Sequence, residues 1–187
     1  LYNTPAAVRL TGDLNIQALE QTFDEVLQRH ESLRTRFNEV NGRAVQVIEP
    51  ELKLNLSIED VQAAELYRIT REEARKPFDL TRSPLLRVRL LRLNDDEHVM
   101  LLTIHHIIGD EWSMGVLVRE MATLYAAHSQ GQPSPLPALP VQYADYAAWQ
   151  REWLSGELLG SEIDYWHQQL HGVPVLDLHA DRPRAAI

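Results

Sequence analysis

The run "VMLLTI" at 99–104 has almost no polar alternation. A strand with one wet face alternates apolar and polar side chains, whereas one covered on both faces does not. The run therefore predicts a central strand over 97–105 with material packed on both sides of its sheet. "PLLRVRLLRL" (84–93) precedes it, and Asn94-Asp95-Asp96 lies between the two segments. A hairpin joining 84–93 to 97–105 follows from that spacing.

The remaining elements are arranged around this pair. "AAVRLTG" (6–12) reads as a short strand and "DLN" supplies candidate caps for a helix. Ile16, Leu19, Phe23, Val26, Leu27, His30 and Leu33 then recur at three- and four-residue steps, which gives one apolar helical face. Two alternating runs flank Asn41-Gly42, a pair that favours the tight turn of a hairpin. "LNLSIEDV" reads as a further strand and 63–76 as a charged helix with a solvated face. Leu117, Met121 and Leu124 mark a helix over 112–127. The prolines of "GQPSPLPALP" (131–140) make that stretch a loop or bridging segment. Helices over 142–155 and 157–171 precede an extended "VPVLDLHADRPR". Strands and helices do not alternate strictly, so the expected class is α+β, a mixed sheet with helices packed on it.

Composition excludes several functions. At 187 residues the chain buries roughly 70% of its unfolded surface, enough for one domain or one lobe of a larger one. A net charge of −9 argues against nucleic acid as a partner. No stretch approaches the roughly 20 apolar residues of a membrane span. Without cysteine there is no disulfide framework or thiolate chemistry, in keeping with a reducing, cytoplasmic setting. The opening "LYNTPAAV" carries neither an initiator methionine nor a targeting signal, and reads as the interior of something longer.

The segment with chemical potential is "TIHHIIGDEWSMG" (103–115). On a strand, His105 and His106 point to opposite faces, so they do different jobs unless the strand has already ended. One packs against the sheet, and the other projects at the strand end. Asp110 and Glu111 stand just before a helix, where carboxylates cap free N–H groups. Diverging adjacent histidines make a poor chelate and no H-x-x-x-H spacing is present, so no metal site is expected. A serine nucleophile is also excluded, because no G-x-S-x-G elbow occurs. Read on residues alone, the segment is either a packed histidine beside a helix cap or a base at a strand end steadied by an acid.

Three segments carry a family resemblance. "IHHIIGDEWS" resembles the HHxxxDG signature of condensation domains from nonribosomal peptide synthetases, members of the chloramphenicol-acetyltransferase-like superfamily. "RHESLRTRF" (29–37) is similar to their RHExLRTxF motif and "YADYAAW" (143–149) to YxDYAxW, in the same order. "LHADRPR" looks like the stretch that joins the two lobes. The resemblance implies that residues 1–187 form the N-terminal lobe, without the family's first strand region and its C-terminal lobe. It makes 131–140 a Pro-rich loop and 172–187 the start of the inter-lobe connection.

The implied activity is acyl transfer: amide formation between a donor thioester and an acceptor amine in a tunnel between lobes. Each substrate arrives on 4′-phosphopantetheine carried by a partner carrier domain, and the lobe itself binds no cofactor. The other implied partners are the second lobe and an adjacent adenylation domain. His106 becomes the catalytic residue facing the tunnel. His105 and Asp110 become structural, Arg34 is the expected partner of Asp110, and Gly109, Glu111, Trp112 and Ser113 line the tunnel. One departure stands out: Glu111 occupies the position where the family usually has glycine. It leaves open a catalytically silent docking platform, beside an epimerase or an ester-forming relative. His30 is expected to pack rather than react, and the stripe Tyr143, Tyr146, Trp149, Trp153 to be core or lobe interface.

Overall fold

The computed structural model describes residues 2–174. Its central strand is the one required by the apolar run. Strand β1 (Asn3–Thr11) is followed by helix α1 (Ile16–Arg29), strands β2 (Thr35–Val40), β3 (Arg43–Ile48) and β4 (Ser57–Asp60), and helix α2 (Leu66–Arg75). Strands β5 (Leu86–Asn94) and β6 (Glu97–His105) then lead to helices α3 (Glu111–His128), α4 (Tyr143–Trp153) and α5 (Gly156–Gln169). The main sheet runs β1-β6-β5-β4, with β6 antiparallel to both neighbours and β4 parallel to β5. It is mixed, as an α+β chain without strict alternation demands.

The chain divides into two units, Leu1–Ala144 and Asp145–Ile187. In the first, every residue of β6 from His98 to Ile104 is buried. Met100, Leu102 and Ile104 point into the layer formed by α1 (Phe23, Leu27) and α3 (Leu117, Leu124). Val99 and Leu101 point the other way, onto Ile69 of α2. Covering the strand twice is what makes its unalternating sequence favourable, since each fully buried large side chain contributes roughly 1.5–3 kcal/mol.

Local chemistry sets the element ends. Asn15 caps α1, its Oδ1 accepting from the Ala18 N–H at 3.0 Å. The apolar periodicity continues to Leu33, but α1 stops at Arg29 and a 3-10 turn covers Glu31–Arg34. The cause is Arg34, which is buried and folds back to donate to the Leu27 (2.8 Å) and Gln28 (3.3 Å) carbonyls at the open helix end. Its third nitrogen donates to the carbonyls of Glu49 and Pro50 after β3. A guanidinium there satisfies orphan carbonyls and meets the negative end of the dipole. The hairpin of β2 and β3 turns on Asn41 (φ 53°) and Gly42 (φ 74°), both in the left-handed region that its two-residue turn needs.

In the second unit the aromatic stripe is not core, which leaves lobe interface of its two expected settings. Tyr146, Trp149 and Trp153 are 44–55% exposed rather than core, and the two indoles stack at 5.5 Å and 9°. Tyr143, the last aromatic in the first unit, is 63% exposed. Residues 131–140 form neither helix nor strand. The segment expected to begin the inter-lobe connection lies, from 175 onward, outside the described residues.

Candidate active site

The site is built where β6 runs out. The His105 N–H donates to the Leu85 carbonyl, the last strand-like contact on that side, and the His106 N–H donates to the Tyr2 carbonyl. Beyond them the chain turns over 106–108, tied by the Ile108 N–H to the His105 carbonyl at 3.0 Å, and α3 begins. The strand has thus ended between the two histidines, and their rings meet different surroundings.

His105 is half-buried. Its Nδ1 accepts from the Ile107 N–H at 3.1 Å, and its ring meets Phe78 edge-on with centroids 6.0 Å apart. Arg87 lies over the phenyl ring, 3.8 Å from the Phe78 centroid, and is itself held 2.5 Å from the buried Glu73. Burial, with a further push from neighbouring His106, holds the His105 ring below the ordinary histidine range. A neutral ring that accepts at Nδ1 carries its hydrogen on Nε2, an arrangement that suits a packed imidazole rather than a reacting one.

His106 is exposed, and its Nδ1 lies 3.0 Å from the Gly109 carbonyl oxygen. A carbonyl can only accept, so Nδ1 carries hydrogen and Nε2 of the neutral ring keeps its lone pair. Gly109 supplies that carbonyl because little else fits. A Cβ there would lie 3.0 Å from Ile104 Cδ1 and 3.3 Å from Ser113 Cβ. The glycine lets the turn lie against β6 and aim its carbonyl at the imidazole.

Asp110 caps α3. One carboxylate oxygen accepts from the Ser113 N–H at 2.8 Å and the Ser113 hydroxyl at 2.6 Å, and these bonds hold the carboxyl below the usual aspartate range. The expected pairing with Arg34 is corrected here. Arg34 is committed to the carbonyls at the end of α1, and Ser113 takes the place of an arginine in fixing Asp110. Glu111, at the position of the family's glycine, is the first residue of α3. Among the described residues Asn41 is the only non-glycine at positive φ, so the backbone at 111 makes no demand for glycine. A carboxylate in the first helical turn is favoured by the dipole.

His106, Gly109, Trp112 and Ser113 line one groove of about 610 Å³ within the first unit, against Leu33 and Phe37. Glu111, at the start of α3, is exposed and is not among the residues that line this groove. Trp112 is 83% exposed at the rim. His30 enters from the far wall, a placement that its apolar periodicity does not announce. Its Nε2 lies 2.6 Å from Glu120, which also takes Arg29 Nε at 3.1 Å on both oxygens. Nothing in sequence links residue 30 to residue 120, since α1 and α3 meet only in the folded layer. In the second unit, an apolar groove of about 890 Å³ lies along α5. Among the described residues no group of three His, Cys, Asp or Glu is placed to hold a metal ion. No described helix is long and apolar enough to cross a membrane.

A mixed sheet with an imidazole at the end of its central strand, opening on an apolar groove, is the arrangement expected of a lobe of the chloramphenicol-acetyltransferase-like class. The sequence model described as "Condensation domain" matches residues 1–186, and the chain belongs to that family. It is 47% identical to one of the subunits of linear gramicidin synthase from Brevibacillus parabrevis, over all of this chain and 4% of the relative. It is 44% identical to the malpibaldin synthetase of Mortierella alpina, over 98% of this chain and 3% of the relative. Among solved structures it is similar to the X-domain from teicoplanin biosynthesis, 33% identical with a TM-score of 0.91, over all of this chain and 42% of that one. The same X-domain is known in complex with OxyB. The chain thus spans a small part of these synthetases and less than half of the X-domain.

Proposed function

We propose that this lobe contributes the catalytic histidine of a condensation reaction in nonribosomal peptide synthesis, joining a carrier-bound acyl or peptidyl thioester to a carrier-bound aminoacyl group. The chain would supply one of two lobes, with the second lobe, two carrier domains bearing 4′-phosphopantetheine and an adenylation domain as its partners in a cytoplasmic synthetase. The observation that carries the reading is the 3.0 Å contact from His106 Nδ1 to the Gly109 carbonyl, which leaves Nε2 as the ring's only acceptor.

An acceptor α-amine titrates near about 7.7–8.0, so part of it is already nucleophilic at neutral pH. Its nitrogen attacks the thioester carbon and forms a zwitterionic tetrahedral intermediate. His106 Nε2 takes the ammonium proton, the C–S bond breaks with its electron pair on sulfur, and that proton reaches the thiolate as a free thiol. The same ring also orients the amine, and proximity of this kind supplies effective molarities of roughly 10⁵ M or more. The test loads the donor carrier of the full-length synthetase with an isotopically labelled acyl group. Label must appear on the acceptor carrier as an amide; label that stays on the donor refutes the reading.

A second reading has specific support. Glu111 replaces the family's glycine, and the X-domain, which has been solved with OxyB, is similar over the whole chain. The lobe would then be a docking platform for a partner protein, and the same labelling experiment would give no transfer even with competent carriers.

A further inference from the structure

The groove contains a second imidazole that the reaction above does not use. His30 stands at the C-terminal end of α1, its side chain 21% exposed, and lines the same cavity as His106. Its position is over-determined. Glu120 of α3 holds Nε2 at 2.6 Å, and Arg29 grips both oxygens of that carboxylate at 3.1 Å. Burial alone would raise the Glu120 carboxyl, but the His30 and Arg29 contacts outweigh it and keep the group ionised at neutral pH. An ionised carboxylate accepts only, so the hydrogen lies on His30 Nε2.

The backbone on either side is fixed as well. Gln142 donates from Nε2 to the Arg29 carbonyl at 2.9 Å and accepts the Glu31 N–H at 3.1 Å. Arg29 also donates to the Pro137 carbonyl. His30 Nδ1, by contrast, takes no hydrogen-bond partner among the described residues. A packing histidine does not need a carboxylate, an arginine and a glutamine to aim it, and in an apolar pocket the few fixed polar groups set ligand orientation.

We propose that His30 in its neutral form, with hydrogen on Nε2, is a positioning residue: its Nδ1 accepts a hydrogen bond from an N–H of the substrate whose reacting centre lies at His106. The inference rests on the condensation reading. The chemical class it selects is a substrate bearing an amide or amine N–H away from the reacting atoms, as a peptidyl or N-acylated aminoacyl donor does. A donor acyl chain without that N–H gains nothing from His30.

Two variants separate this role from a structural one. In His30→Gln the side-chain amide nitrogen stands close to the former Nε2 and still donates to Glu120, but the groove loses its acceptor. In His30→Asn the carbonyl oxygen stands close to the former Nδ1, so the acceptor remains and the Glu120 bond goes. The measurement is steady-state kinetics of the full-length synthetase, varying a donor carrier loaded with an N-acetylaminoacyl group and, separately, one loaded with a simple fatty acyl group. The expected result is a KM for the N-acetylaminoacyl donor raised about 3- to 10-fold in His30→Gln with kcat unchanged, the range for one lost hydrogen bond. His30→Asn restores it, and the fatty acyl donor is indifferent to both. An unchanged KM in His30→Gln, or an equal rise for both donors, overturns the assignment. His106→Ala run in parallel keeps the two ideas apart: if it too turns over normally, the condensation reading has failed, and if it alone is slow, only the role of His30 has.

Discussion

Replacing Gly109 by alanine tests how the site is assembled. The new Cβ would sit 3.0 Å from Ile104 Cδ1, where ordinary contact begins at 3.4 Å, so something must give by at least about 0.4 Å. Ile104 is 1% exposed in the layer between sheet and helices, and Ser113 is tied to Asp110, so neither neighbour moves freely. Overpacking of this kind costs about 1–2 kcal/mol, which for a chain of this size lowers Tm by roughly 2–8 °C. The cheapest relief moves the Gly109 peptide off β6, and its carbonyl leaves the His106 ring. The ring then loses its preference for hydrogen on Nδ1. Imidazole ¹⁵N spectra of the 187-residue chain read that preference directly, beside thermal unfolding. If His106 is the base proposed above, its misalignment lowers kcat of the full-length synthetase about 10- to 100-fold. Wild-type Tm together with an unaltered His106 tautomer would refute the argument that close approach, rather than chance, requires glycine here.

Three further outcomes follow from the packing. Leu27, 0% exposed between helix and sheet, should cost about 2–5 kcal/mol when cut to alanine, read by denaturant unfolding. Glu73→Ala strips the buried partner from Arg87 and Arg89 and should cost roughly 2–4 kcal/mol, while an Arg92→Ala change at the exposed Asp60 pair should barely register in the same assay. His105 has a folded-state pKa below its ordinary value of 6.5, so the unfolded chain binds more protons as pH falls. Stability is therefore full above about pH 6.5 and is lost as pH drops through the folded value, and unfolding midpoints of His105→Asn between pH 7 and 5 should fall less steeply than those of the wild type.

Much of the fold is legible in the chain because short-range rules decide it. The unalternating 99–104 run locates the covered strand, Asn41-Gly42 locates the hairpin, and the carboxylate before Trp112 locates the start of α3. The strand end between His105 and His106 follows from the same reasoning. Where sequence and structure part, the cause is a partner that the local pattern does not reveal. A motif joins Arg34 to Asp110, yet the open carbonyls of α1 lie six and seven residues away and claim its guanidinium first. Apolar periodicity places His30 on the packed face of α1 but cannot register the carboxylate ninety residues on that its ring meets. The aromatic stripe of α4 is not core, and helical spacing alone does not separate a core face from one that meets another lobe.

The central claim is that the His106 ring, oriented by the Gly109 carbonyl, is the base for amide formation. Single-turnover transfer between loaded carriers in the full-length synthetase, comparing wild type with a folded His106→Ala variant, examines it most directly. The variant's transfer rate is expected to fall by about 10²- to 10⁴-fold. Equal rates in the two proteins would contradict it.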